Sequence, residues 1–249
     1  MKALAPLAFA GLIAAGPGAA DLTDLSDAER EAFRAEVRAY LMENPEVLME
    51  AIGVLEERQA AAEADRDRMS VAANIEALTN SAFDWVGGNP EGDVTLVEFM
   101  DYRCGFCRRA HPEVEDLVSL DGNIRYVVKE FPILGEQSVL ASRFAIATRI
   151  VEGDDAYGRM NDALMVMRGD VTEDALAELA DELGLEADPI FEAMNDPLVE
   201  QTIAYNRELA SRLQISGTPT FVFGDQLVRG YLPLDGMLEL VDTVRSEMN

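Results

Sequence analysis

The feature that most constrains the fold is a pair of cysteines three residues apart, placed just after an apolar run. Val94–Met100 is largely apolar, as expected of a central strand covered on both faces. Cys104 and Cys107 follow, and after them apolar residues recur at helical spacing. The sequence therefore predicts that the cysteine pair lies where a strand gives way to a helix.

That position suits disulfide exchange. The unpaired N–H groups and the dipole at a helix N-terminus favour a thiolate on Cys104. Cys107 lies almost one turn further on, close enough to resolve a mixed disulfide and more deeply buried. We predict Cys104 as the nucleophile and Cys107 as the resolving thiol. Arg103, Arg108 and Arg109 either add local positive charge or are ordinary solvated side chains.

A metal site is the first alternative for the same residues. Cys104, Cys107 and His111 have a plausible ligand spacing, but a closed structural zinc site needs four ligands. The chain has two cysteines and one histidine, so no fourth ligand of either type exists. We predict no metal and no other cofactor, and we place His111 at the active-site surface. A purely structural disulfide across so short a loop would contribute little stability.

The charge of the chain excludes one class of partner. Its 249 residues include 20 Lys and Arg against 47 Asp and Glu, a formal charge of −27. Such a surface repels phosphate backbones, so nucleic acid is not an expected partner. The 49% apolar and 27% charged residues are ordinary for a soluble globular protein.

Residues 1–20 have the pattern of a secretory signal peptide. Lys2 supplies a positive charge, residues 3–15 are uncharged, and small residues precede Asp21. The apolar stretch is shorter than the roughly 20 residues that span a bilayer. The sequence therefore predicts export with cleavage of the signal, into a compartment where disulfides can form.

The segment 21–80 is predicted to be helical. Ser26 and Glu29 fit a capping box that opens one helix, which should end near Asn44-Pro45, and a second helix should run to about Leu78. Apolar residues recur there every seventh position, at Leu41, Leu48, Leu55, Ala62 and Met69. Polar residues interrupt the companion positions. This segment either forms an oligomer or packs against the rest of the protein.

The remainder alternates strands with a helical block. A boundary at Gly87–Pro90 precedes the strands Val94–Met100 and Ile124–Val128. Residues 135–213 carry successive helix signals, predicted at Glu136–Val151, Asp155–Arg168, Glu173–Leu183, Pro189–Asn195 and Pro197–Leu213. A hairpin of Thr220–Phe223 and Gln226–Arg229 and a helix Leu234–Met248 close the chain. Thr218-Pro219, just before the hairpin, is either cis in a tight turn or an ordinary trans bond.

Five stretches carry a resemblance to a known family. Val97–Cys107, the helical block and Gly217–Thr220 together resemble the DsbA family of bacterial periplasmic oxidoreductases, over roughly Asn80 to Asn249. Tyr40–Leu48 and Lys129–Gly135 are most similar to the ScsC, or suppressor of copper sensitivity, branch. The middle pair of the motif, Gly105-Phe106, departs from DsbA itself, which has proline and histidine there.

The resemblance implies an α/β thioredoxin-like fold with an inserted helical block and an N-terminal helical extension. The implied domains are the signal peptide 1–20, the helical and candidate oligomerising segment 21–80, the thioredoxin-like domain 81–134 with 214–249, and the insertion 135–213. It also implies that Pro219 is cis beside the sulfurs with Thr218 before it, and that Glu98 is a buried carboxylate that tunes proton transfer. Gly105 and Phe106 would set the redox poise.

The function that the resemblance implies is that of a periplasmic thiol-disulfide oxidoreductase, either an oxidase or an isomerase. Its expected partners are exported cysteine-containing clients, a membrane reductase or quinone-linked oxidase, and further copies of itself. The alternative is a periplasmic protein that binds Cu(I) through the two thiolates in a role in copper tolerance, since soft sulfur ligands suit that ion. Met160, Met165 and Met167 are either added thioether ligands or core residues.

Overall fold

A computed structural model describes residues 25–248. The predicted signal peptide, residues 1–20, lies outside the described part. The helices are α1 (Asp27–Glu43), α2 (Glu46–Ala73), α3 (Ile75–Thr79), α4 (Gly105–Asp121), α5 (Glu136–Glu152), α6 (Asp154–Val166), α7 (Glu173–Glu182), α8 (Ala187–Ala193), α9 (Pro197–Arg212) and α10 (Leu234–Met248). The strands are β1 (Trp85–Gly88), β2 (Val94–Met100), β3 (Ile124–Glu130), β4 (Thr220–Phe223) and β5 (Gln226–Arg229). Within residues 25–248, no helix is both long and apolar enough to cross a membrane.

The five strands form one mixed sheet in the order β1-β3-β2-β4-β5. The central pair β2 and β3 is parallel, and every other neighbouring pair is antiparallel. A parallel pair needs a crossover, which α4 supplies. The predicted mixed α/β fold, with a helical block inserted between β3 and β4, is confirmed.

The sheet is buried on both faces because β2 is apolar on both. Side chains alternate along a strand, so Leu96 and Met100 join one core cluster while Val97 and Phe99 join another. The first cluster includes α4 and most of the inserted helices. The second lies under α3 and the end of α9. This arrangement places the end of β2, where the cysteines begin, inside the protein.

The chain divides into two compact units, one up to Gln59 and one from Ala60 onward, so the boundary falls within α2. In the first unit the capping box of Ser26 and Glu29 is present and α1 ends at Glu43, both as predicted. None of the described residues of this unit is buried. In the second unit α2 stops at Ala73 and α3 follows, so the prediction of one helix reaching Leu78 is wrong.

Strand β1 is the element that the sequence prediction missed. It is only four residues long and ends in two glycines, which made it look like a boundary. A Cβ at Gly87 would lie 2.3 Å from the Trp85 ring, and one at Gly88 would lie 2.4 Å from the carbonyl oxygen of Ile124. The glycines therefore permit close packing on β3. Helix α8 also begins earlier than predicted, with Glu186 rather than Asp188 at its N-cap.

Candidate active site

Cys104 is the N-cap residue of α4, with an extended backbone (φ −77°, ψ 115°), and Cys107 lies in the first turn. Both are buried and both are free thiols. Because α4 starts immediately after Cys104, the sulfur is placed beside the N–H groups that have no partner within the helix. The predicted strand-to-helix placement of the motif is confirmed.

The turn between β2 and α4 is built on Asp101, a fully buried aspartate. Its backbone carbonyl accepts from the N–H of Cys104 at 3.0 Å, and its Oδ1 accepts from the N–H of Arg103 at 2.8 Å. Its Oδ2 accepts from the N–H groups of Ile133 and Leu134, at 2.8 and 3.1 Å. One side chain thus fixes both the cysteine turn and the loop after β3. This role of Asp101 was not predicted, although an Asp two residues before a turn amide is a recognisable signal.

The loop before β4 lies against the first sulfur. The Thr218–Pro219 peptide bond is cis. The Cys104 thiol donates to the carbonyl oxygen of Thr218, with an Sγ to oxygen distance of 3.1 Å. On the far side, the N–H of Gly230 donates to the carbonyl of Pro219 at 2.9 Å. Residues 114 positions apart in the sequence therefore meet at the sulfur.

Hydrogen bonds lower the pKa of Cys104 from its ordinary value of 9.0 to about 5. The largest contribution is a hydrogen bond from the Cys107 thiol, which outweighs the opposing effect of burial. A hydrogen bond from the Thr218 side chain and the backbone N–H groups of Cys107 and Phe106 lower it further. Above pH 5, Cys104 is therefore largely a thiolate.

Cys107 has the opposite character. Its side chain has no exposed area, and burial raises the pKa of this thiol far above its ordinary range. The hydrogen bond to Cys104 and the charge of Glu98 raise it further. Two cysteines three residues apart therefore differ sharply: the Cys104 thiol is largely ionised above about pH 5, whereas Cys107 stays protonated.

Glu98 is a carboxylate on β2 that is 99% buried. Its Oε2 accepts a hydrogen bond of 2.5 Å from the hydroxyl of Tyr126, while its Oε1 has no hydrogen-bond partner within residues 25–248. Burial is the main cause that raises the pKa of Glu98 to about 7; the hydrogen bond from Tyr126 opposes it. This carboxyl can gain or lose a proton near neutral pH. Tyr126 was not predicted, since only the sheet brings the next strand beside Glu98.

The two middle residues of the motif differ in exposure. Phe106 is 60% exposed, next to the reactive sulfur. A Cβ placed on Gly105 would meet no atom within 4 Å, so a larger residue fits there. The pair therefore offers an apolar ring and a sterically open position at the surface beside Cys104.

The three arginines near the motif are engaged elsewhere. Arg103 donates to the carbonyl of Gly169 at 2.6 Å, and Arg108 donates to the carbonyl of Met165 at 2.7 Å. The guanidinium of Arg109 stacks over the Tyr231 ring at 4.4 Å. None of them is among the groups that lower the pKa of Cys104. Arg108 and Arg109 tie α4 to the rest of the unit instead, and Arg103 does the same for the turn that precedes α4.

His111 is not at the active-site surface, contrary to the prediction. It is 96% buried, because the helix turns it inward toward α6. The ligand-type side chains nearest to its ring are Glu115 and Asp162, and its link to the thiols is electrostatic, through the buried Glu98. The combination of Cys104, Cys107 and His111 as a metal site is therefore not formed.

The methionines considered as copper ligands are core residues. Met160 and Met165 are buried in the larger core cluster, and Met167 packs against its edge. This cluster also contains both cysteines.

A second buried acid is Glu130, which accepts hydrogen bonds from the hydroxyls of Tyr102, Tyr157 and Ser142 at 2.7, 2.7 and 2.6 Å. Burial raises its pKa to about 7. The sequence analysis missed this network, whose members are scattered along the chain.

Two family models match the chain. The model described as the DSBA-like thioredoxin domain matches residues 95–242, more than half of the chain. The model described as the copper resistance protein ScsC N-terminal domain matches residues 29–62. The two matches do not overlap, and residues 63–94 lie between them.

Solved structures of similar proteins agree with this assignment. A thioredoxin-like oxidoreductase from Silicibacter pomeroyi is 42% identical, with a TM-score of 0.65 over 69% of this chain and 97% of its own. A linker-deletion variant of Proteus mirabilis ScsC is 26% identical, with a TM-score of 0.66 over 90% of this chain and 98% of its own.

Several of the curated relatives are much longer proteins. A Na(+)/H(+) antiporter NhaA 1 of Salinispora arenicola is 33% identical over 138 residues, which are 55% of this chain and 21% of that protein. The chain therefore spans about a fifth of the length of this relative.

Proposed function

The chain belongs to the DSBA-like thioredoxin family of thiol-disulfide oxidoreductases, with a segment like the ScsC N-terminal domain, and from this we propose that it exchanges disulfides in exported client proteins. One observation carries the proposal. Cys104 has a pKa of about 5 while its partner Cys107, one turn away, stays protonated. Such a pair provides one nucleophile and one resolving thiol.

The disulfide form would oxidise a client in two steps. A client thiolate attacks Cys104 Sγ, the bond to Cys107 breaks, and the Cys107 sulfur leaves and takes up a proton. A second client thiolate then attacks the mixed disulfide and releases Cys104 as a thiolate. The client loses two electrons and the protein gains them. The low pKa of Cys104 makes it a good leaving group in the second step.

The dithiol form would rearrange client disulfides without net oxidation. The Cys104 thiolate attacks a client disulfide, and another client thiol displaces Cys104 from the mixed disulfide. When no second client thiol reacts, Cys107 attacks Cys104 Sγ in the mixed disulfide and releases the client. We propose that isomerisation is the main task, since the N-terminal segment resembles ScsC and offers an apolar surface for assembly into an oligomer.

Glu98 is proposed to move the Cys107 proton, with Tyr126 positioning its carboxyl. Within the described residues, Oε2 accepts a hydrogen bond from Tyr126 whereas Oε1 has no partner. A pKa of about 7 lets it accept and return a proton at neutral pH. Thr218 and Pro219 would hold the client backbone beside the sulfur, and Phe106 would contact client side chains.

The proposed cell location is the periplasm, with the membrane reductase or quinone-linked oxidase as the redox partner. This rests on the predicted signal peptide and the family resemblance. Recovery of the protein in a periplasmic extract, shortened by about twenty residues, would support it. Full-length protein retained with the membrane would contradict it.

The test of function uses two assays on the full chain. We expect the reduced protein to restore activity to scrambled ribonuclease faster than the disulfide form oxidises a reduced two-cysteine peptide. Glu98→Gln should slow the release of mixed disulfides and leave the pKa of Cys104 close to 5. Oxidation without repair would make the protein an oxidase. Stoichiometric Cu(I) binding without either activity would favour the copper-binding alternative.

A further inference from the structure

A cleft of about 700 Å³ opens where α4 and α6 meet. Carboxylates of both helices line it: Glu115, Asp154, Asp155 and Asp162. The single histidine of the chain, His111, also lines this cleft. The proposed disulfide chemistry uses none of these side chains.

The imidazole of His111 is poised toward two of the carboxylates without a hydrogen bond to either. Its Nε2 lies 3.3 Å from Asp162 Oδ1 and 3.8 Å from Glu115 Oε2. The side chain is only 5% exposed, and Nε2 is buried without a hydrogen-bond partner among residues 25–248. A buried polar atom without a hydrogen bond costs free energy, and a ligand bound to Nε2 would remove that cost.

The spacing of the three donor atoms fits a metal ion. Zinc binds His nitrogen and carboxylate oxygen at about 2.0–2.2 Å, which separates two tetrahedral ligands by roughly 3.3–3.6 Å. The His111 to Asp162 distance is in this range, and all three donor atoms lie within 4.8 Å of one another. Glu115 and Asp162 are about half exposed, so their carboxylates can adjust and the cleft can supply water.

We propose that His111, Glu115 and Asp162 bind a divalent transition-metal ion of the Zn²⁺ class. One imidazole and two carboxylates match the ligand preference of such ions, with water in the remaining position. The neutral imidazole and two negative carboxylates balance the charge of the ion. Asp155 also lines the cleft with its carboxylate, whereas Asp154 is ion-paired with Arg149, and Arg159 brings a positive charge to the lining.

The site would join two parts of the second unit. His111 and Glu115 lie on α4, the helix that carries the cysteines, and Asp162 lies on α6 of the inserted block. A bound ion would therefore fasten the redox helix to the insertion. The competing explanation for the same geometry is an ion pair between a protonated His111 and the two carboxylates, with no metal.

The test uses the full chain without a polyhistidine tag, with Cys104 and Cys107 both replaced by serine so that no thiolate competes for the metal. Calorimetric titration with zinc chloride at pH 7.5 should give one site per chain. Because the chain has one histidine, its imidazole ¹⁵N resonances need no assignment, and the Nε2 resonance should shift as zinc is added.

Exposed ligands provide variants that should still fold. Asp162→Asn and Glu115→Gln should each weaken zinc binding at least tenfold, and zinc should raise the thermal midpoint of the parent more than theirs. Asp116→Asn makes the same charge change on the neighbouring exposed residue of α4 and should bind within twofold of the parent.

Three results would overturn the proposal. Equal losses in Asp162→Asn and Asp116→Asn would show diffuse attraction to an acidic surface. An imidazole resonance that is unmoved by zinc would place the ion elsewhere. Absence of one-to-one binding would leave only the ion pair. Because the cysteines are absent from this experiment, none of these outcomes bears on the proposed disulfide exchange.

Discussion

The two units of this chain differ in how much of their apolar surface is buried. From Ala60 onward, a five-stranded sheet is covered on both faces and encloses the cysteine pair, Glu98 and Glu130. Up to Gln59, none of the described residues is buried. Large apolar side chains there are exposed: Phe33, Val37, Tyr40, Met42, Leu48, Met49, Ile52, Val54 and Leu55.

This difference indicates which unit provides the redox site and which provides a surface for assembly. The raised pKa values of Cys107 and Glu98 depend on burial, and the lowered pKa of Cys104 depends on hydrogen bonds, both of which the second unit supplies by itself. The helices of the first unit cannot gain stability from an apolar face that stays in water. An exposed patch of this size is typical of an interaction surface. Further copies of the chain are its proposed partner.

The largest expected effect comes from Cys104→Ser. If all chemistry lies in the second unit, this change abolishes disulfide exchange while the N-terminal helices stay intact. Cys107→Ser should instead accumulate mixed disulfides with clients, because Cys104 can still attack but Cys107 can no longer resolve the mixed disulfide. Non-reducing gels of protein mixed with a disulfide client distinguish the two. Disulfide exchange retained in Cys104→Ser would show that another residue carries the chemistry and would contradict this contrast between the two units.

The next effect concerns the stability of the second unit. Asp84 and Lys129 form a buried ion pair, and Lys129 also donates to the carbonyl of Ala77 at 2.8 Å. Asp84→Asn leaves the lysine charge buried and should lower the free energy of unfolding by about 3–5 kcal/mol. Asp65→Asn removes a solvent-exposed pair with Arg68 and should cost at most about 1 kcal/mol. Urea titrations measure both. Equal decreases in the free energy of unfolding for the two variants would show that burial of the ion pair does not cause the larger effect.

The third effect is on the pH dependence of Cys104. A depressed pKa means that the thiolate is present above about pH 5 and is lost as the pH falls through 5. Alkylation by iodoacetamide should therefore slow tenfold per pH unit below that value. Since Cys107 makes the largest contribution, Cys107→Ala should raise the pKa of Cys104 toward 9, and Cys107→Ser should raise it less. A midpoint near 9 in the parent would remove the basis of the proposed function.

The smallest effect on chemistry is expected from the first unit. Val37→Glu should dissociate an oligomer, seen as a lower mass by light scattering, and should leave oxidation of a small peptide within about twofold. Leu120→Glu makes the same change at an exposed apolar residue of the second unit and should leave the mass unchanged. An unchanged mass in Val37→Glu would show that this surface has another partner.

Much of the fold could be predicted because local patterns agree with it. The hairpin Thr220–Phe223 and Gln226–Arg229 and the helix Leu234–Met248 have the predicted bounds. Strand β2 also has its predicted bounds, since a long apolar run bordered by polar residues defines both ends. β1 could not be predicted, because four residues ending in Gly-Gly form a strand only when β3 provides their hydrogen-bond partners.

The sequence by itself determined the redox motif, its place between strand and helix, and the burial pattern of β2, because these depend on neighbours within a few residues. Only the tertiary structure decided what surrounds the sulfur. Thr218 reaches Cys104 from 114 positions away, Tyr126 reaches Glu98 from the adjacent strand, and His111 turns toward Asp162 rather than the thiols. Burial and the hydrogen bond from Tyr126 across the sheet set the pKa of Glu98, and such contacts leave no local pattern in a sequence.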